Sequence, residues 1–157
     1  MSGSSNTNSS LTIAAQLAKG IVNAHPEKET LGQHVGQRLI MDVAGICIAA
    51  RHEIYVKAAL SSFEQEGHCT VFGFEQKCGV EGAAFVNGIA AHGEDFDDTY
   101  EGGPVHAGVV IVPALLAAAE RHALSGEQLL RGVAIGVEVM CRLCAVAPTR
   151  VHKAGFH

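Results

Sequence analysis

Between Pro104 and Ala119 the sequence contains no Asp, Glu, Lys or Arg. The apolar run from Ala107 to Ala119 has helical composition, includes Pro113 and is too short to cross a bilayer. A second apolar helix is predicted close behind it. Ser125 and Gln128 form a capping-box pattern, the helix is apolar on most faces as far as Cys144, and it runs to about Ala147 before Pro148 stops it. A helix that is apolar all round must be covered on all sides. The rest of the chain offers few helices to do this, and it stops at Gly155-Phe156-His157 without a polar tail. These features predict either a truncated chain or a large oligomeric interface.

The remaining segments read the same way. Leu11 to Asn23 places Leu11, Ala14, Ala15, Leu17, Ala18, Ile21 and Val22 at helical spacing, and His25-Pro26 ends the pattern. Thr30 is the expected N-cap of a second helix with Val35, Leu39, Ile40, Val43, Ala44, Cys47 and Ile48 on its apolar side. A third helix is predicted from about Glu53 to Phe63. After Gly67, Cys69 to Gly73 reads as a short extended segment. Gly79 to His92 is helical and crowded with small residues, Gly82, Ala83, Ala84, Gly88, Ala90 and Ala91, so neighbouring backbones can approach closely. There is no Trp, only two Tyr, and no βαβ alternation. The expected fold is all-α, a bundle-like domain of small-residue-rich helices over residues 11–157, preceded by a disordered leader over residues 1–10.

Composition narrows the function. Hydrophobic residues make up 48% and charged residues 17%, which is a globular balance. The net charge of −5 gives no basic footprint, so no nucleic-acid partner is expected, and no membrane partner either. An anionic substrate would need positive charge that is local or supplied from elsewhere. The cysteines, Cys47, Cys69, Cys78, Cys141 and Cys144, are odd in number and sit mostly in apolar stretches, so they read as reduced and buried. Cys141 and Cys144 form a C-x-x-C within a helical pattern and without a second pair, which reads as helix packing rather than a metal site. The Ser/Asn-rich residues 1–10 lack the marks of a secretory signal, and they lack the arginine of a mitochondrial presequence. The expected compartment is the cytoplasm.

Glu94, Asp95, Asp97, Asp98 and Glu101 crowd five carboxylates into one short segment, with Phe96 among them and apolar helices on both sides. A carboxylate at the mouth of an apolar cavity has a raised pKa and can do acid/base work. Asp95-Phe96-Asp97-Asp98-Thr99 matches the D-x-D-x-T pattern of aspartyl-phosphate phosphatases, but no buried strand precedes it. Asp97, Asp98 and Glu101 match a D-D-x-x-[D/E] pattern that could hold Mg²⁺ and a diphosphate in a helical enzyme, although Gly102, Gly103 and Pro104 follow at once. A third reading joins the segment to His106 and His157, because proton removal next to a carboxylate needs a base, an acid and carboxylate-binding donors.

Phe85-Val86-Asn87-Gly88, His92, Asp95-Phe96-Asp97-Asp98-Thr99, His106, the apolar helix around Pro113 and Glu120, Ser125-Gly126, Gly136-Val137-Glu138-Val139 and Lys153-Ala154-Gly155-Phe156-His157 together resemble the 2-methylcitrate dehydratase / cis-aconitate decarboxylase family (MmgE/PrpD) from about Leu11 onward. The resemblance implies a large helical domain, a smaller α/β lid domain, a homodimer, and no metal or organic cofactor. It implies that Asp95 and Thr99 hold or orient a small polycarboxylate substrate, and that His106, His157 and Asp95 form the catalytic set, with the histidines transferring protons. Family reactions include 2-methylcitrate dehydration, cis-aconitate decarboxylation and epimerisation of an amino-dicarboxylate. Many members have His-Pro where this chain has His106-Ala107. Family chains are also much longer, so the lid domain is expected to be absent and this chain alone to be inactive. A non-catalytic helical module is the remaining alternative.

Overall fold

The computed structural model describes residues 11–63, 66–147 and 149–155. The expected leader, Pro148 and His157 lie outside them. Seven α-helices occur among the described residues: α1 (Ile13–Asn23), α2 (Thr30–Ala50), α3 (Ile54–Ser61), α4 (Val80–His92), α5 (Ala107–His122), α6 (Gly126–Val146) and α7 (Arg150–Lys153). A 3-10 turn, Pro26–Lys28, joins α1 to α2. The fold is mostly helical, as the periodicity predicts.

Helix ends follow local chemistry. Thr12 caps α1 by accepting a hydrogen bond from the Ala15 amide at 3.2 Å. At the start of α6, Ser125 Oγ accepts from the Gln128 amide at 3.2 Å and Gln128 Oε1 accepts from the Ser125 amide at 2.9 Å, so the predicted capping box is formed. Thr30, by contrast, is the first residue of α2 rather than its cap. Glu29 occupies the cap position in an extended conformation and makes no side-chain capping bond. The third helix is shorter at both ends than its sequence pattern suggests.

The predicted extended segment after Gly67 is also shorter. Only Cys69–Thr70 (β1) is strand, and it pairs antiparallel with Lys77–Cys78 (β2), a partner too short to show a periodicity. What fixes this small hairpin is Asn87 of α4. Its buried amide donates from Nδ2 to the Thr70 carbonyl at 2.9 Å and accepts from the Phe72 amide at 2.9 Å. Two backbone groups of a loop are thus satisfied inside the protein by one helix side chain.

The core lies where α2, α3, α4 and α5 meet. Val43, Cys47, Val56, Leu60, Val86 and Val112 are buried in it. Helices α4 and α5 pack closely because α4 is built from small residues. A Cβ on Gly88 would sit 3.4 Å from the Val109 carbonyl oxygen. That carbonyl would ordinarily accept from residue 113, where Pro113 has no N–H to give. Helix α6 covers the outer side of α5 and is tied to α1 by Arg131, whose guanidinium donates to the carbonyls of Ala24 at 3.0 Å and Val22 at 2.9 Å.

The covering is one-sided, as the charge-free run predicts. Val110, Leu143 and Val146 remain exposed. Val110, Ile111, Ile135, Val139, Met140 and Leu143 are among the residues that line an open apolar groove of about 950 Å³ between α1, α5 and α6. No helix is long and apolar enough to cross a membrane among the described residues. Cys47, Cys69 and Cys78 are buried, whereas Cys141 and Cys144 on α6 are only half-buried, so the expectation of burial holds for the first three.

Two measurements check this packing. Asn87→Ala strands the Thr70 carbonyl and the Phe72 amide, and at about 1–3 kcal/mol for each orphaned group it should cost about 2–6 kcal/mol in denaturant unfolding. A cost below 1 kcal/mol would mean that the hairpin does not depend on Asn87. In thiol titration at pH 8, Cys47 should stay unreactive in the native protein, since burial pushes its pKa up to about 12. Cys69 and Cys78, also buried with raised pKa values, should likewise react only after unfolding, leaving Cys141 and Cys144 to react first.

Candidate active site

Helix α4 ends at His92, and residues 93–106 return the chain to the start of α5. Gly93 stands at the end of α4 because the Tyr55 ring lies against it, and a Cβ there would meet ring atoms at 2.4 Å. Tyr55 then donates its hydroxyl to Glu94 at 2.8 Å. Asp95 follows in the left-handed region, φ 57°, which a short polar side chain tolerates better than a branched one. The far part of the loop closes on itself, with the Tyr100 amide donating to the Val105 carbonyl at 3.1 Å and the Gly103 amide to Tyr100 at 3.2 Å.

The carboxylates of this segment separate into distinct environments. Asp95 is exposed. Asp97 is buried, with its side chain fully out of solvent. Its Oδ2 accepts from His92 Nδ1 at 3.0 Å and lies 3.2 Å from His106 Nδ1. The two imidazole rings face each other obliquely, with centroids 5.1 Å apart and planes at 55°. Asp97 Oδ1 is buried without a hydrogen-bond partner among the described residues. Asp98 turns the other way and caps α5, both of its oxygens accepting from the Gly108 amide at 2.9 and 3.0 Å. Burial raises the Asp98 pKa, the Gly108 amide pulls it down, and the nearby Asp97 charge pushes it up again. Glycine at position 108 leaves the Asp98 carboxylate and Leu39 in place, and any Cβ would displace both. A Cβ would stand 2.3 Å from Asp98 Oδ1 and 2.7 Å from Leu39 Cδ1.

The structure therefore brings together two of the expected site residues, Asp95 and His106, and adds His92, to which the sequence assigns no role, and its partner Asp97, which the sequence offers only as a Mg²⁺ ligand. Ligand atoms of His92, Asp95, Asp97 and His106 all lie within 4.8 Å of one another. Thr99 is exposed on the same loop. His157 lies outside the described residues. The Asp97, Asp98 and Glu101 arrangement for Mg²⁺ and a diphosphate does not form: Asp97 faces histidines, Asp98 caps a helix and Glu101 is exposed. The sequence does carry a signal for His92, a histidine in the last turn of a helix five residues before an Asp.

Chemically, a buried carboxylate against an imidazole Nδ1 holds the ring in one orientation. It favours the tautomer with hydrogen on Nδ1 and the lone pair on Nε2. It also stabilises the imidazolium formed when that lone pair takes a proton. His92 and Asp95 face solvent, while His106 is largely covered, its side chain 16% exposed. The cluster can thus hold and pass on a proton, and it meets solvent at His92 and Asp95.

Residues 15–157 match the MmgE/PrpD N-terminal domain. Among curated proteins, the chain is 33% identical over 87 residues to a cis-aconitate decarboxylase-like protein, oryM, of Aspergillus oryzae, covering 51% of this chain and 18% of that protein. It is 37% identical over 93 residues to cis-aconitate decarboxylase of Aspergillus terreus, covering 57% and 19%. It is 40% identical over 80 residues to cis-aconitate decarboxylase of Homo sapiens, covering 45% and 16%. The alignments thus reach less than a fifth of the length of each of these relatives. With its match running across nearly all described helices, the chain belongs to the MmgE/PrpD family.

Proposed function

We propose that this chain is the N-terminal part of a lyase that acts on a small polycarboxylate of the cis-aconitate or 2-methylcitrate type by proton transfer next to a carboxylate. The observation that carries the reading is His106, placed at the start of α5 with its Nδ1 3.2 Å from the buried Asp97. A general base needs a fixed ring, a defined tautomer and a counter-charge for its protonated form. Asp97 supplies the counter-charge and the orientation. Asp95 and Thr99, exposed on the loop between α4 and α5, are placed to orient the substrate. His157 is the second proposed proton-transfer group, acting with His106.

The chemistry as proposed uses side chains alone. In decarboxylation the bond from carbon to a carboxylate breaks, carbon dioxide leaves, and the carbanion-like centre so formed takes its proton from a protonated histidine. In dehydration His106 Nε2 takes the proton from the carbon next to a carboxylate while hydroxide leaves the neighbouring carbon and is protonated to water, and in an epimerase the carbanion-like centre is reprotonated on the other face. The names of the relatives favour decarboxylation of cis-aconitate over the other two outcomes. Turnover is proposed to need more than these 157 residues, since the relatives are far longer and the ion-pair partners of Asp97 are histidines rather than a cation that could bind substrate. Assembly as a homodimer and a cytoplasmic location belong to the same proposal.

The test is turnover of cis-aconitate and 2-methylcitrate by a full-length protein carrying this domain. His106→Ala should lower kcat by about 10²–10⁴-fold, the usual contribution of a general acid or base. Thr99→Ala should raise KM more than it lowers kcat, and the isolated 157 residues should not turn over. A chelator should leave the rate intact, because the chemistry asks nothing of a divalent ion. Unchanged kcat in His106→Ala removes this residue from the mechanism, and loss of activity on chelation returns the Mg²⁺ reading.

A further inference from the structure

The same cluster has a second chemical capacity. We propose that His92, Asp95, Asp97 and His106 form a binding site for a zinc-class divalent cation, which occupies the side chains that would move protons and so inhibits them. The inhibitory part rests on the function proposed above, whereas the binding part does not.

The donor set argues for this class of ion. Two imidazoles and two carboxylates suit Zn²⁺ and its neighbours, whereas Mg²⁺ and Ca²⁺ prefer oxygen throughout. Two carboxylates also balance the charge of a divalent ion. The geometry is nearly in place. Ligands 2.0–2.1 Å from a tetrahedral ion stand about 3.3 Å from one another. Asp97 Oδ2 is 3.0 Å from His92 Nδ1 and 3.2 Å from His106 Nδ1, so three ligand atoms already have about that spacing. The full set of four lies within 4.8 Å, and the exposed Asp95 side chain is the member with room to move inward.

A second observation is the state of Asp97. Its side chain is fully buried and its Oδ1 has no hydrogen-bond partner among the described residues. A buried charged carboxylate left partly unsatisfied is costly, and a cation bound to its other oxygen lowers that cost by neutralising the charge. The entry path is the solvent-facing side formed by His92 and Asp95. Neutral imidazoles ligate through Nδ1 by carrying their hydrogen on Nε2 instead, so binding to the neutral rings releases no proton. It does remove the Nε2 lone pair that a general base needs.

The experiment is calorimetric titration of Zn²⁺ and visible spectroscopy with Co²⁺ on the 157-residue protein. One equivalent should bind, giving a four-coordinate Co²⁺ spectrum without sulfur-to-metal charge transfer. His92→Ala and Asp95→Asn should each weaken binding at least about tenfold, the least that is lost even when only an outer partner of a ligand is removed. Both positions are at least partly exposed, and an unchanged far-UV circular dichroism spectrum checks that the fold survives. Replacing Cys141 and Cys144 together by Ser should change nothing. Thiolate charge transfer, loss of binding in the cysteine variant, or full binding in both site variants overturns the proposal. No outcome depends on turnover, so a failure of the lyase reading and a failure of this one are distinguishable. If both hold, Zn²⁺ should inhibit the full-length protein and a chelator should restore it.

Discussion

The close packing of α4 against α5 is the constraint on which the site depends. It is made possible by small side chains, with Gly88 admitting the Val109 carbonyl and Gly108 admitting both Asp98 and Leu39. Because the two helices are antiparallel neighbours joined by residues 93–106, the last residue of one and the residue just before the other come together. Those residues are His92 and His106. The loop then has to run back over the helix ends, and Asp97 falls between the two rings. A bulkier α4 would hold the helices apart and separate the imidazoles from each other and from the carboxylate.

The acidic segment shows how burial assigns different work to like residues. Asp97 and Asp98 are adjacent, yet one serves two histidines and the other closes the N-terminus of α5. The second task protects the first. By engaging the Gly108 amide, Asp98 fixes the start of α5 and hence the direction in which His106 leaves it. The helix end also offsets part of the cost of bringing two carboxylates so close. Burial is the main reason the Asp98 pKa is raised, and repulsion from Asp97 adds to it, which places the two charges in one electrostatic unit.

Much of the fold was legible in the sequence, and the reasons are local. Apolar spacing marked α1, α2, α4 and α5, and the Ser125/Gln128 pair marked the start of α6 because a capping box is made by residues three apart. Thr30 misled because a residue type favoured at caps also fits the first turn, and Glu29 took the cap position without a bonding side chain. The β1–β2 pair was half visible, since two-residue strands have no period to read. Within the site, Asp95 and His106 were recognisable, but the special status of Asp97 was not. Sequence presents the carboxylates as equivalent, and only the path of the loop decides which one is buried. His92 belongs to the sequence pattern but shows no role there, because its role comes from a partner that the loop delivers.

The electrostatics of the cluster bear on how its two proposed activities relate. A carboxylate-rich site attracts a divalent cation and repels a polycarboxylate. His92 and His106, which pair with Asp97, are imidazoles, so they offset its charge only when protonated. A site that must accept an anion therefore needs cationic groups brought over it from other parts of a longer protein, while a site that accepts a cation is nearly complete as it stands. The same geometry thus favours opposite ligands according to whether it is covered. Covering would exclude water, shield Asp95 and strengthen every remaining interaction around His106. Uncovered, the four side chains keep their ligand atoms within 4.8 Å of one another, with two carboxylates to attract a metal ion. On this view the apolar surfaces left exposed on α5 and α6 and the charge of the acidic loop belong to one problem, since the longer protein proposed above would resolve both by packing against this domain.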